Sequence, residues 1–213
     1  MAIGIGLHCW YCEHGPCNGE CKIDPCQESP ITNVLEEAKL KARYSEVTGD
    51  LIALAKEGAF NVIVHGCNCH STMAAGIAPH MAQAFGCDKF NLELKGPSIN
   101  KLGCIDYETF VISKGGLWNR KLDSNINNDP ELTVVNAYTQ YRYGKNHIDG
   151  VSKPVDYEAI TIVMRKLNVE FKGLHIGLPK IGAGLAGGDW ERIKKIIQTE
   201  LIDCKVTIVI LPQ

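Results

Sequence analysis

The sequence predicts an α/β fold of three layers, a mixed central sheet with helices on both faces. Three observations carry that reading. From about residue 44 onward, short apolar runs that read as strands alternate with stretches of helical apolar spacing. Two polar, glycine-containing loops follow two of the strands, one after Val64 and one after Leu178. The composition is that of a globular domain, with 45% hydrophobic residues in 213 and no apolar run near the ~20 residues of a membrane span.

The chain begins with a segment of another kind. Residues 1 to 28 hold His8, Cys9, Cys12, His14, Cys17, Cys21 and Cys26 among glycines and prolines. A segment this short and polar cannot build a core, so something must staple it. Cys9 and Cys12 have the spacing of half a tetrahedral zinc site, and Cys17 and Cys21 are the best second half. Cys26, His8 and His14 compete for those places, and disulfides or a loose thiol-rich tail are the alternatives. With four protein ligands such a zinc is structural, since no position is left open for chemistry. Ser29-Pro30 then starts a linker helix over Val34 to Ala42, within a linker at 29–43.

The main domain, 44–213, follows in order. Glu46 to Asp50 reads as a strand end and Leu51 to Lys56 as a helix. Val62 to Val64 is a short strand, His65 to Ser71 a polar loop, and a helix runs from Ala78 through Phe85. Cys104 to Ser113 and Thr133 to Tyr138 are strands, separated by a polar loop at 117–130. Pro154 to Leu167 is a helix with Ile160, Val163, Met164 and Leu167 inward. Leu174 to Leu178 is a buried strand, Glu191 to Leu201 a helix, and Val206 to Leu211 the last strand.

Between that buried strand and its helix lies Pro179-Lys180-Ile181-Gly182-Ala183-Gly184-Leu185-Ala186-Gly187-Gly188-Asp189-Trp190. Glycines let the backbone approach a ligand, and free N–H groups at a helix start point at an anion. The plain alternative is a tight turn. Asp189 fits the N-cap of the helix. The net charge of −2 supplies no broad field for nucleic acid or an anionic membrane, but a local nest of N–H groups needs none. Met1 to Leu7 is too short for a signal-peptide core, so a cytoplasmic location is expected.

Val47-Thr48-Gly49-Asp50-Leu51, Val62 to Cys69, Met73-Ala74-Ala75-Gly76-Ile77-Ala78 and Pro179 to Leu185 together resemble a macrodomain over about residues 44–213. The resemblance is to the branch with yeast-type ADP-ribose-1″-phosphate phosphatases and many phage proteins. Gly184 to Trp190 is similar to the ending in antitoxins that reverse ADP-ribosylation of DNA. The resemblance implies that Asp50, with Leu51 beside it, accepts from the adenine amino group. Asn68 would bind the distal ribose. Gly76 and Ile77 would line the diphosphate on one side, with Ile181, Gly182, Ala183, Gly184 and Leu185 on the other. Tyr138 would close over the distal ribose. The residues alone leave other roles open: an N-cap for Asp50, a turn asparagine for Asn68, a core or surface tyrosine for Tyr138.

Two departures bear on mechanism. Ala74-Ala75-Gly76 stands where many macrodomains have three glycines. Asn136 to Tyr141 contains no lysine where the branch that removes ADP-ribose through a covalent lysine carries one, and Ala186 stands where the human member of that branch has aspartate. Glutamine at 140 cannot form a Schiff base. Phosphate-monoester hydrolysis then needs another acid or base. His70, two residues past Asn68, and His147, in a loop after the Tyr138 strand, are the candidates, with Asn68 as their catalytic neighbour. Either histidine could instead be a solvated loop residue. His65 is expected to be structural, and Asp189 is a weaker candidate base. Cys67 and Cys69 read as small buried residues. The function implied is binding of ADP-ribose and hydrolysis of ADP-ribose-1″-phosphate without a catalytic cofactor. The alternatives are release of ADP-ribose from modified protein or nucleic acid, and a non-catalytic ADP-ribose reader.

Overall fold

Three aspartates mark the places where extended chain turns into helix. Asp50, Asp156 and Asp189 each have β-region backbone and accept hydrogen bonds from N–H groups of the turn that follows. Each cap is worth ~1 kcal/mol. The computed structural model describes residues 38–40, 43–90, 96–113, 116–119, 130–144 and 153–212. The elements in chain order are β1 (Tyr44–Thr48), α1 (Leu51–Lys56), β2 (Val62–Asn68), α2 (Ala78–Phe85), β3 (Ile105–Ser113), β4 (Gly116–Asn119), β5 (Glu131–Gln140), α3 (Tyr157–Glu170), β6 (His175–Leu178), α4 (Trp190–Glu200) and β7 (Lys205–Ile210).

The strands form one seven-stranded sheet in the order β1-β7-β6-β2-β5-β3-β4. Neighbours from β1 through β5 pair in parallel, and β3 pairs antiparallel with both β5 and β4. The mixed α/β sheet expected from the alternation is therefore present. Alternate side chains of the strands go to opposite faces. Val62 and Val64 of β2, Val135 and Ala137 of β5 and Ile176 of β6 pack with Ile160, Val163 and Met164 of α3 and Ile193 and Ile197 of α4. Ile63, Leu132 and Val134 face the other way, against Leu51 and Ala55 of α1 and Met81 and Phe85 of α2. Helices thus cover both faces, as parallel strands require.

Two segments differ from expectation. The polar run that begins at His65 is not yet loop, because β2 continues to Asn68. His65, Gly66 and Cys67 pair with Asn136, Ala137 and Tyr138 of β5, and the register slips by one between Cys67 and Asn68. A polar residue sits inside the sheet here because a polar partner lies across from it. Gly116–Asn119, at the start of the expected 117–130 loop, is strand β4, hydrogen-bonded back onto β3. The linker helix at 34–42 lies mostly outside the described residues, though 38–40 are helical. The carboxyl ends of β1, β6, β2 and β5 share one edge of the sheet, the edge where open α/β sheets bind ligands.

Candidate functional site

The loop after β6 is built to leave donors unspent. Gly188 N–H bonds Gly182 O at 2.9 Å and Gly187 N–H bonds Gly184 O at 2.9 Å, which folds the loop on itself. The N–H groups of Gly182, Gly184 and Leu185 donate to no carbonyl among the described residues. Gly182 has φ 73°, and a Cβ there would lie 3.0 Å from Ile160 and 3.2 Å from Ile193. Glycine is required at this position both for the backbone angle and for the packing beneath it. Asp189 closes the loop. Its carboxylate caps α4 through Glu191 N and Arg192 N, and its own N–H donates to the Tyr157 hydroxyl at 2.9 Å.

Opposite this loop lies the chain between β2 and α2. Helix α2 begins after Ile77 without a side-chain cap, and with Pro79 near its start. The Gly76 and Ile77 N–H groups donate to no carbonyl among the described residues. Gly76 has φ 65°, and a Cβ on it would lie 3.9 Å from Cδ1 of Leu185. Leu185, 74% exposed, therefore reaches from one loop to the other. The two loops, each with unspent N–H groups, stand at the carboxyl edge of the sheet, where Leu185 comes near Gly76. Such paired nests suit an anion with several oxygens.

Further along this edge the chemistry differs on the two sides. Asp50 follows β1 and caps α1 with one oxygen only: Oδ1 accepts from Ile52 N at 2.7 Å and Ala53 N at 3.0 Å. Its other oxygen has no partner among the described residues. At the opposite end, Asn68 organises a tight turn. Its Oδ1 accepts from His70 N, Thr72 N and the Thr72 hydroxyl, and its Nδ2 donates to Thr72 O. The oxygen is saturated and one amide hydrogen remains. His70 lies edge-on to Tyr141 and to Tyr143, which is 62% exposed, and its Nε2 is buried without a hydrogen-bond partner.

No family model matches the chain. An uncharacterized 17.5 kDa protein from the tk-vs intergenic region of Enterobacteria phage T4 is 29% identical over 170 residues, covering 76% of this chain and 93% of that protein. A protein of unknown function from Bacteroides thetaiotaomicron superposes with TM-score 0.57 and 24% identity, over 78% of this chain and 97% of its own. The macrodomain of Thermus aquaticus DarG superposes with TM-score 0.51 and 18% identity, over 80% and 98%. The chain has the macrodomain fold. A Trypanosoma brucei macrodomain in complex with ADP-ribose, 14% identical, superposes with TM-score 0.51 over 82% of this chain and 66% of that one.

Within this fold, Asp50, Leu51, Asn68, Gly76, Ile77 and the 181–185 loop lie along the carboxyl edge of the sheet. Leu51 itself is buried in the core beneath α1, and Ile181 is buried under its loop. Tyr138 is placed differently from a residue closing over a ribose. It is 4% exposed, and its hydroxyl donates to Asp106 Oδ2 at 2.7 Å. His147 and Cys9, Cys12, Cys17 and Cys21 lie outside the described residues. Among the described residues no group of three or more His, Cys, Asp or Glu side chains could hold a metal. Burial pushes the Cys69 thiol up to about 11 and raises that of Cys67 as well, which removes both as ready nucleophiles.

The domain also has a buried polar chain that the sequence pattern does not reveal. Asp106 accepts from Tyr138 and from Asn136 Nδ2, and Asn136 Oδ1 lies 2.7 Å from His65 Nε2. Burial holds the Asp106 carboxyl above its ordinary range and His65 down at about 4. With a neutral His65, Nε2–H is the donor to Asn136. Above Tyr138 sits Lys101, 2% exposed, with its ammonium 5.6 Å from the ring centre. An acid within the strand run 105–113 was a signal for Asp106. Lys101 gave none, because 96–101 reads as ordinary polar turn.

Proposed function

We propose that the chain binds ADP-ribose in a cleft between the two loops and hydrolyses ADP-ribose-1″-phosphate to ADP-ribose and phosphate. The observation that carries this reading is the pair of neighbouring loops with unspent N–H groups. Gly76 and Ile77 lie on one side and Gly182, Gly184 and Leu185 on the other. A diphosphate offers oxygens on both sides and fits between them. Asp50 then takes the adenine end, since an acceptor-only carboxylate oxygen suits an amino donor. Asn68 takes the distal ribose with its remaining amide hydrogen as donor to a hydroxyl. The T. brucei macrodomain, which shares the fold and is solved with ADP-ribose, supports the choice of ligand.

For the phosphatase step, water attacks phosphorus, the bond from phosphorus to the 1″ oxygen breaks, and that oxygen takes up a proton. His70 is the residue we assign to proton transfer, because its Nε2 is the one buried side-chain nitrogen or oxygen without a partner among the described residues. His147 is assigned the complementary role from its place in the sequence. Gln140 at the end of β5 supports hydrolysis without a covalent lysine.

The test is calorimetric titration with ADP-ribose, followed by phosphate release from ADP-ribose-1″-phosphate. Binding with release, lost in Asn68→Ala and reduced by about a hundredfold in His70→Ala, is the expected outcome. Binding without release would replace the phosphatase with a reader or with a hydrolase acting on ADP-ribosylated protein or nucleic acid. No binding would overturn the roles of Asp50, Asn68 and both loops together.

A further inference from the structure

Lys101 is the one buried lysine or arginine among the described residues, and its contacts lead to the Asn68–Thr72 turn. Its ammonium donates to Ser71 Oγ at 2.8 Å and to Gly96 O at 2.8 Å, and it faces the Tyr138 ring. Burying an ammonium is costly unless its hydrogen bonds are replaced. Here two neutral acceptors and a ring face replace them. They come from three separate stretches of chain: the loop after β2, the turn before β3 and the end of β5. The turn carrying Lys101 is fastened to the same stretches by backbone bonds, Ser98 N to Cys69 O and Gly103 N to Tyr138 O.

Ser71 is the unusual member of this set. Among the described residues it is the one non-glycine with positive φ, at 56°. A side chain in the left-handed region costs energy and persists only where its surroundings hold it. The Asn68 side chain fastens both neighbours of Ser71, through His70 N and Thr72 N, and the Asn68 carbonyl accepts from Ser71 N at 2.9 Å. The Ser71 side chain is fastened by Lys101.

We propose that Lys101 is a positioning residue for the distal end of the cleft: through Ser71 it holds the Asn68–Thr72 turn in the shape that presents Asn68 and His70 to ligand. This rests on the ligand reading above for its functional part, whereas its conformational part stands on its own. Lys101 itself touches no reacting atom in this account. A residue that only added stability would weaken all parts of the domain alike. A residue that holds one strained backbone angle can be replaced by removing the strain.

The experiment compares the full chain with Lys101→Met, Ser71→Gly and the double variant, by amide hydrogen exchange and by ADP-ribose titration. In Lys101→Met, exchange at residues 69–72 should rise about tenfold with the amides of β1 and α4 unchanged, and ADP-ribose affinity should fall about tenfold. The double variant should recover most of the affinity, because glycine takes φ 56° without strain. Ser71→Ala, which keeps Lys101 but removes its acceptor, should reproduce the Lys101→Met phenotype and serves if that variant does not fold. Unchanged exchange at 69–72, unchanged affinity, or a double variant as weak as Lys101→Met would each overturn the proposal. If the unaltered protein does not bind ADP-ribose, the ligand reading fails by itself, and the exchange data still decide whether Lys101 holds the turn.

Discussion

The two oxygens of Asp50 divide the work at the start of α1. Oδ1 is spent on the cap, and the other oxygen has no partner among the described residues. The N-cap and ligand readings of this residue, which look exclusive in the sequence, are compatible once the atoms are separated. They can be tested apart. Asparagine caps as well as aspartate, so Asp50→Asn should change unfolding stability by less than about 0.5 kcal/mol. With its own Oδ1 on the cap, it would present an NH₂ donor where the free oxygen was. ADP-ribose affinity should then fall at least about tenfold in calorimetry, since a hydrogen bond to a charged acceptor is lost. An equal loss in stability and no loss in binding would leave Asp50 as a cap alone. Asn68 is the contrasting case. Its residue type identified the turn, but its saturated oxygen depends on where His70 and Thr72 fall, and no spacing rule gives that.

At the scale of elements, the strands and helices were legible where apolar spacing is regular. Leu51–Lys56 and Ala78–Phe85 lie where their patterns place them. The continuation of β2 through His65 was not legible, because the sequence carries a histidine there and the Asn136 that satisfies it is 71 residues away. The glycines divide in the same way. Those of the 182–188 loop announce themselves by number. Gly177, inside β6, does not, although a Cβ there would lie 2.8 Å from Phe60 and 3.0 Å from Leu51. Gly177→Ala should destabilise the domain by about 1–3 kcal/mol through overpacking between β6 and α1. Urea unfolding measures this, and Phe60→Leu in the same chain should recover part of it by making room.

For the molecule as a whole, the buried His65 couples folding to pH. Burial lowers its folded-state value to about 4, so below the ordinary imidazole range the unfolded chain takes up a proton that the folded chain refuses. Its contribution to stability is present above about pH 6.5 and is lost as pH falls toward 4, a loss of about 3 kcal/mol. Asp106 acts in the opposite sense. Its raised value means the folded state binds a proton first, so acidification through that lower range favours folding. Urea midpoints at pH 7 and pH 4.5 should therefore fall more steeply in the unaltered protein than in His65→Gln; equal slopes would remove His65 as the cause. The amino-terminal cysteines offer a separate whole-chain measurement. Protein purified without added zinc is expected to carry about one equivalent, held by Cys9, Cys12, Cys17 and Cys21. No metal and ten free thiols would leave that segment without a staple.

The approach of Leu185 to Gly76 has a kinetic meaning. The exposed Leu185 side chain comes near Gly76, which has no side chain to interlock with it. Such a barrier yields to a single rotamer change, on the picosecond to nanosecond scale of exposed side chains, rather than to a slower hinge motion. Admission of a ligand would then be set by encounter and orientation, and residence time by the N–H groups beneath. On the proposed ADP-ribose reading, lengthening or shortening the side chain at 185 should alter how often an encounter succeeds far more than how firmly the ligand is held.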